Sequence, residues 1–141
     1  VSPIPWEYSV DHFVGQETVR WIDEYDGDQP FAMMVGFPGP HDPYDPSAEY
    51  ATFNPEDMPE PLPTVKEDTA RMRRGAKGTA NPYGKAWYTI KNDSTPQRHH
   101  HLLRRARYTG LVKQIDHEVG CIVEALRRKG LLDNTVVYLK S

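Results

Sequence analysis

Between positions 9 and 25, apolar residues return at three- and four-residue intervals: Val10, Phe13, Val14, Trp21, Ile22 and Tyr25. That spacing predicts a helix with one apolar face, and Ser9 stands where an N-cap belongs. The cluster Asp26-Gly27-Asp28-Gln29-Pro30 ends it. Residues 31–37, FAMMVGF, follow as a short continuous apolar run between breakers, the pattern of a strand buried on both faces. From 37 to 96 the periodicity is lost, and ten prolines mark an irregular excursion longer than an ordinary connection. Beyond Gln97, residues Leu103, Leu111, Val112, Ile115, Val119, Ile122, Val123 and Leu126 line one face of a longer helix ending at Lys129, with Gly130 placed for a left-handed cap. After Asp133-Asn134, the run TVVYL at 135–139 predicts a second buried strand.

The order helix, strand, excursion, helix, strand predicts an α/β fold, with parallel strands joined by right-handed crossovers and flanked by helices, in one domain over 1–141. In such sheets ligands bind beyond the carboxyl ends of the strands. The segment after Phe37 is one such place, and whatever follows Leu139 is another.

Composition narrows the picture. Charged residues make up 26% and apolar residues 38%, as in a globular domain, while thirteen prolines and a mean hydropathy of -0.72 confine the apolar residues to a few segments. A net charge of -3 and a pI near 6.1 make no overall electrostatic case for nucleic acid or anionic membrane as partner. No run approaches the ~18 apolar residues of a membrane span. Cys121 is the only cysteine, which excludes an internal disulfide and a cysteine-built zinc cage. Its neighbours Val119, Ile122 and Val123 suit a buried structural thiol. The chain opens at Val1 with neither methionine nor a charged-then-apolar leader, as a fragment or processed piece would.

The candidate chemistry centres on residues 36–46, GFPGPHDPYDP. Pro38, Pro40, Pro43 and Pro46 fix φ at their own positions and restrict the residue before each, so His41 is held on a stiff backbone. A rigid imidazole can donate to an oxyanion; it can equally hydrogen-bond loop carbonyls and do nothing more. His99, His100 and His101 diverge by roughly 100° each on a helix and cannot converge on one ion. With Arg104, Arg105 and Arg107 they read as a solvated face, as does the basic patch RMRRGAKG at 71–78. Trp87 and Tyr88 would anchor the excursion to the body. Asp116 reads as a hydrogen-bonded structural carboxylate. No Gly-rich phosphate loop, G-x-S-x-G elbow or H-E-x-x-H is present.

Together, PFAMMVGFPGPHDPYDP and RRARYTGLVKQIDHEVGCIVEALRRKGLLDNTVVYLKS resemble the middle of the sulfatase family, within the alkaline phosphatase superfamily. The first is similar to that family's strand followed by Pro-His-x-Pro. The second is similar to its long helix, with tyrosine, Ile-Asp and Val-Gly in order, leading to Gly-Leu-x-Asn/Asp-Asn-Thr and a strand. The likeness covers residues 9–53 and 98–139 well and the excursion between them poorly.

What the resemblance implies is an internal fragment of an alkaline-phosphatase-like α/β domain, from a hydrolase that cleaves small-molecule or glycan sulfate esters. It further implies a formylglycine nucleophile made from cysteine and a divalent cation, usually calcium, in the complete enzyme. His41 matches the family histidine that donates to a sulfate oxygen near the leaving group, a catalytic and substrate-binding role, with Pro40 and Pro43 holding it. A phosphonate or phosphate ester hydrolase of the same superfamily and a non-catalytic anion- or partner-binding module are the alternatives.

Two family features are missing. There is no Cys/Ser-x-Pro-x-Arg motif, since Cys121 is followed by Ile122-Val123-Glu124, and no early pair of metal-binding aspartates; both are expected upstream of Val1. The closing Thr/Ser-Ser-Asp is represented by Lys140-Ser141, with the metal-binding aspartate expected next. These 141 residues alone are therefore expected to be catalytically inert, and turnover of an aryl sulfate by them would contradict the reading.

Overall fold

The computed structural model describes residues 1–60 and 95–140; the basic patch at 71–78 and Trp87-Tyr88 lie outside them. Two helices dominate, α1 at Val10–Glu24 and α2 at Thr95–Arg128. Ser9 caps α1 as the sequence predicts, its hydroxyl accepting from the His12 N–H at 3.2 Å. α2 opens across Pro96, which the first turn tolerates because its N–H groups have no intrahelical acceptor. Its far end closes in a Schellman arrangement. Gly130 has φ 68°, its N–H reaches the Arg127 carbonyl at 3.0 Å, and the Leu131 N–H reaches the Leu126 carbonyl at 2.9 Å.

The chain divides into two compact units, Val1–Phe53 with Ala106–Ser141, and Asn54–Arg105. In the first, His12 and Gln16 meet Glu118, Ile22 packs with Ala125 and Leu126, and Asp23 pairs with Arg128. The contacts advance together along both helices, so α1 and α2 run side by side in the same direction. Their apolar centre is Ile22, Ala125 and Leu126, with Val19, Phe31, Ile122, Leu131 and Leu132 packed around it. Arg128 grips both oxygens of Asp23 at 3.0 and 2.9 Å, and Lys129 donates to the Asp23 carbonyl at 2.9 Å. An exposed pair of this kind adds only about 0–1 kcal/mol, so it sets register more than strength.

The face that α1 buries is only partly the apolar one its sequence predicts. Asp11, Gly15, Thr18 and Ile22 point inward, whereas Val10, Phe13 and Trp21 are exposed, Phe13 at 64%. Val112, assigned to the apolar face of α2, is likewise exposed, while Gln114 and Glu118 are buried. The physical reason is the closeness of the helices at Gly15. A Cβ there would lie 1.9 Å from Oε2 of Glu118 and 2.8 Å from its Cβ, so the contact admits no side chain from α1.

The two predicted strands are not formed among the described residues: residues 31–37 and 135–139 form no ladder. They are not buried on both faces either, with Met34 96% and Val136 94% exposed. A strand is completed by a neighbour that takes its lateral N–H and C=O groups, and the described residues supply none. In residues 33–39 the even positions are exposed, and from Val35 to Gly39 the odd positions are partly covered, the alternation of an extended segment with one face towards the body.

In the second unit, Asn54 caps the short turn Pro55–Asp57 by accepting from the Glu56 N–H at 3.2 Å. Arg105 donates to the Pro59 carbonyl at 2.9 Å, and His99 stands 3.6 Å from Glu56.

Gly15→Ala tests the close helix contact. Propensity alone would favour alanine inside a helix by about 1 kcal/mol. Here the added methyl must displace the fully buried Glu118 side chain, so we expect a net destabilisation of about 1–3 kcal/mol in urea unfolding. A stabilised variant would show that the helices part freely.

Candidate functional site

The loop after Phe37 is built onto both helices of the first unit. At its start, the Gly39 N–H donates to Oδ1 of Asp11 on α1 at 3.1 Å. At its far end, the Ser47 N–H donates to Oε1 of Gln114 on α2 at 2.7 Å. Pro46 is fully buried, and its carbonyl accepts from the Ser2 N–H at 3.0 Å. It lies where α2 carries Gly110. A Cβ on Gly110 would come within 2.7 Å of the Tyr50 carbonyl and 2.9 Å of Pro46, so glycine is what lets the loop lie on the helix. The loop thus has two anchored ends and an arc between them.

His41 stands on that arc, its side chain 80% exposed. Nδ1 lies 2.8 Å from the Asp42 carbonyl and 3.1 Å from Oδ1 of the same residue. A carbonyl can only accept, so Nδ1 carries the proton. The neutral ring then presents an acceptor at Nε2, and the imidazolium presents a donor there. Nδ1 thus serves the loop carbonyl, and most of the ring is exposed. Tyr44 meets Tyr108 of α2 edge-on at 5.9 Å a few residues further along the loop.

Beneath the loop lies a polar seam between the helices. Glu118 has no exposed surface; Oε1 takes a hydrogen bond from Nδ1 of His12 at 2.9 Å, and Oε2 takes one from Nε2 of Gln16 at 3.2 Å. Trp6 covers one side, with ring centroids 5.2 Å from His12, 4.9 Å from Tyr50 and 6.1 Å from His117. Burial pushes the Tyr50 phenol up, and the negative charge of Glu118 adds to it. Burial also raises the Asp11 carboxyl above its ordinary value of 3.8; the Gly39 N–H opposes the rise and the charge of Glu118 reinforces it.

The other candidates do not join this site. Asp116 is exposed, and the hydrogen-bonded structural carboxylate of this part of α2 is Glu118, two residues on. Cys121 is half-buried rather than fully buried; burial raises its thiol pKa, Glu118 adds to the rise, and Arg128 opposes it. A thiol held up in this way is a poor nucleophile at neutral pH. Among the described residues no three His, Cys, Asp or Glu side chains are grouped to hold a metal ion.

Asp11, Gln114 and Glu118 were not singled out from the sequence. A signal was there: Gln114 and Glu118 are four residues apart, on the same helical stripe as buried Leu111 and Ala125.

With a histidine arm of this form following FAMMVGF, and a long helix leading to the Gly130 cap, comparison with known proteins is direct. The chain belongs to the sulfatase family, whose profile matches residues 3–141. An arylsulfatase of Clostridium perfringens (strain 13 / Type A) is 30% identical over 147 residues, covering 97% of this chain and 27% of its own length. The multifunctional alkaline phosphatase superfamily protein PehA of Trinickia caryophylli is 29% identical over 158 residues, covering 99% of this chain and 28% of its own length. The chain thus spans little more than a quarter of the length of these relatives. Family membership carries an alkaline-phosphatase-like α/β fold and hydrolase chemistry at the level of the family. No helix among the described residues is long and apolar enough to cross a membrane.

The Asp11 carboxyl gives a pH dependence with a definite sign. Its raised value means that the folded protein holds this proton more tightly than the unfolded chain does. The resulting contribution to stability is full below 3.8 and is lost as pH rises through the folded value. Asp11→Asn keeps an oxygen for the Gly39 N–H and removes the titration. Urea midpoints measured across the acid range should therefore move in favour of the variant as pH rises; a constant difference would show that Asp11 is not desolvated.

Proposed function

We propose that this chain is the part of a sulfate-ester hydrolase that carries the histidine of its anion site, and that the His41 side chain donates a hydrogen bond to a sulfate oxygen near the leaving group. The observation that carries the proposal is the loop geometry. The ring stands outward on an arc whose two ends are fixed to helices, and its Nδ1 is already committed to Asp42. With Nδ1 so engaged, Nε2 donates only when the ring is protonated. In the transition state, negative charge grows on the leaving oxygen, and a fixed N–H held beside it stabilises that charge. The chain's contribution is to bind and orient the ester and to hold that proton at Nε2.

Parallel strands at 31–37 and 135–139 belong to the same proposal. Helices that alternate with the strands of a parallel sheet on one of its faces must run in one direction, and α1 and α2 do. The arc bearing His41 would then follow the carboxyl end of the first strand, where α/β ligands bind. A formylglycine and a divalent cation, implied by the family resemblance for the complete enzyme, would supply the nucleophile and polarise the ester. The part assigned to His41 is binding, orientation and the Nε2 proton alone.

The likeness to PehA, described as a multifunctional alkaline phosphatase superfamily protein, supports phosphate or phosphonate esters as a second reading. Rates on matched p-nitrophenyl sulfate and p-nitrophenyl phosphate separate the two.

In the protein as its gene encodes it, His41→Ala should lower kcat for the preferred ester about 10²-fold, the scale of one lost oxyanion donor. A kcat near the parent value would leave His41 as no more than a residue that ties its own loop.

A further inference from the structure

We infer that Asp11 and Gln114 are positioning residues for His41, acting through the backbone of its loop. The inference rests on the proposed role of His41. The contacts form a short hierarchy. The imidazole is tied to its own loop through Nδ1, which meets the carbonyl and carboxylate oxygens of Asp42. Its place relative to the body is therefore set by the loop backbone. That backbone is held at Gly39 by Asp11 and at Ser47 by Gln114, each through a main-chain N–H and a side-chain oxygen.

The two acceptors come from different helices, and both are buried, Asp11 at 7% exposure and Gln114 at 3%. Burying an acceptor costs free energy unless a donor meets it, so each bond is held by the penalty for breaking it. The same two residues also meet the polar seam: Asp11 feels the charge of Glu118, and Gln114 precedes Glu118 by one turn on α2. Fixing α1 against α2 therefore fixes both ends of the arc together. A reacting group displaced by about 1 Å can lose about 10²-fold in rate, so anchors without contact to substrate still bear on turnover.

The test is a double-mutant cycle on the protein as encoded, with p-nitrophenyl sulfate as the probe. Asp11→Leu removes the acceptor at similar volume and should lower kcat about tenfold, with KM changed little. In a His41→Ala background the same change should cost nothing further, because the residue through which it acts is gone. Asp11→Asn, which keeps the oxygen, should recover most of the loss. A loss of equal size in both backgrounds, or none in the parent, would overturn the inference. Should Asp11→Leu fail to fold, Gln114→Met at the other end of the arc carries the same cycle, and the same outcomes support or overturn it. Failure of the underlying reading is seen separately: His41→Ala alone would then leave kcat near that of the parent, and the inference would fall with it.

Discussion

A carboxylate with no exposed surface must be met by donors, and Glu118 is met from the neighbouring helix by His12 and Gln16. Breaking such an arrangement from one side costs about 3–5 kcal/mol, a large share of the 5–15 kcal/mol that holds a typical domain together. The consequence is registry. Apolar faces slide past one another with small losses, whereas a buried acceptor and its donors align in one way. The cluster of Ile22, Ala125 and Leu126 supplies adhesion between α1 and α2, and Glu118 decides where along their length they meet.

Local features were legible in the sequence because their causes are local. The Ser9 cap and the Gly130 termination depend on residues within a turn of each, and both stand where the sequence places them. The inward faces were less legible. Val10, Phe13 and Trp21 outweigh Asp11, Gly15 and Thr18 on any hydrophobic scale, yet the helix turns the latter set inward because Glu118 fills the space over Gly15. That need arises some hundred residues along the chain, and periodicity within α1 carries no trace of it. The apolar runs at 31–37 and 135–139 are chemically suited to strands, but a strand is a property of a pair, and no pairing partner lies among the described residues.

The histidine arm was the most readable part of the candidate site, since four prolines and a lone imidazole declare a stiff loop. What the sequence did not disclose is how the loop is carried. Its supports are a carboxylate and an amide that look, in one dimension, like ordinary polar positions on two helices. Chemistry-bearing residues are found by type and spacing, whereas the residues that hold them are found by asking which main-chain donors are buried and what receives them. The family assignment belongs to the first kind of signal and the loop's anchoring to the second.

The absence of a side chain at position 15 has a consequence for divergence within this lineage. The space a methyl group would take is already filled from across the seam by the acid at 118. Drift at these two sites cannot proceed independently: a bulkier residue at one is tolerated only after the other has shortened, and the lost acceptor then strands His12 and Gln16 as well. Four positions on two helices, a hundred residues apart in sequence, should thus inherit change as a set.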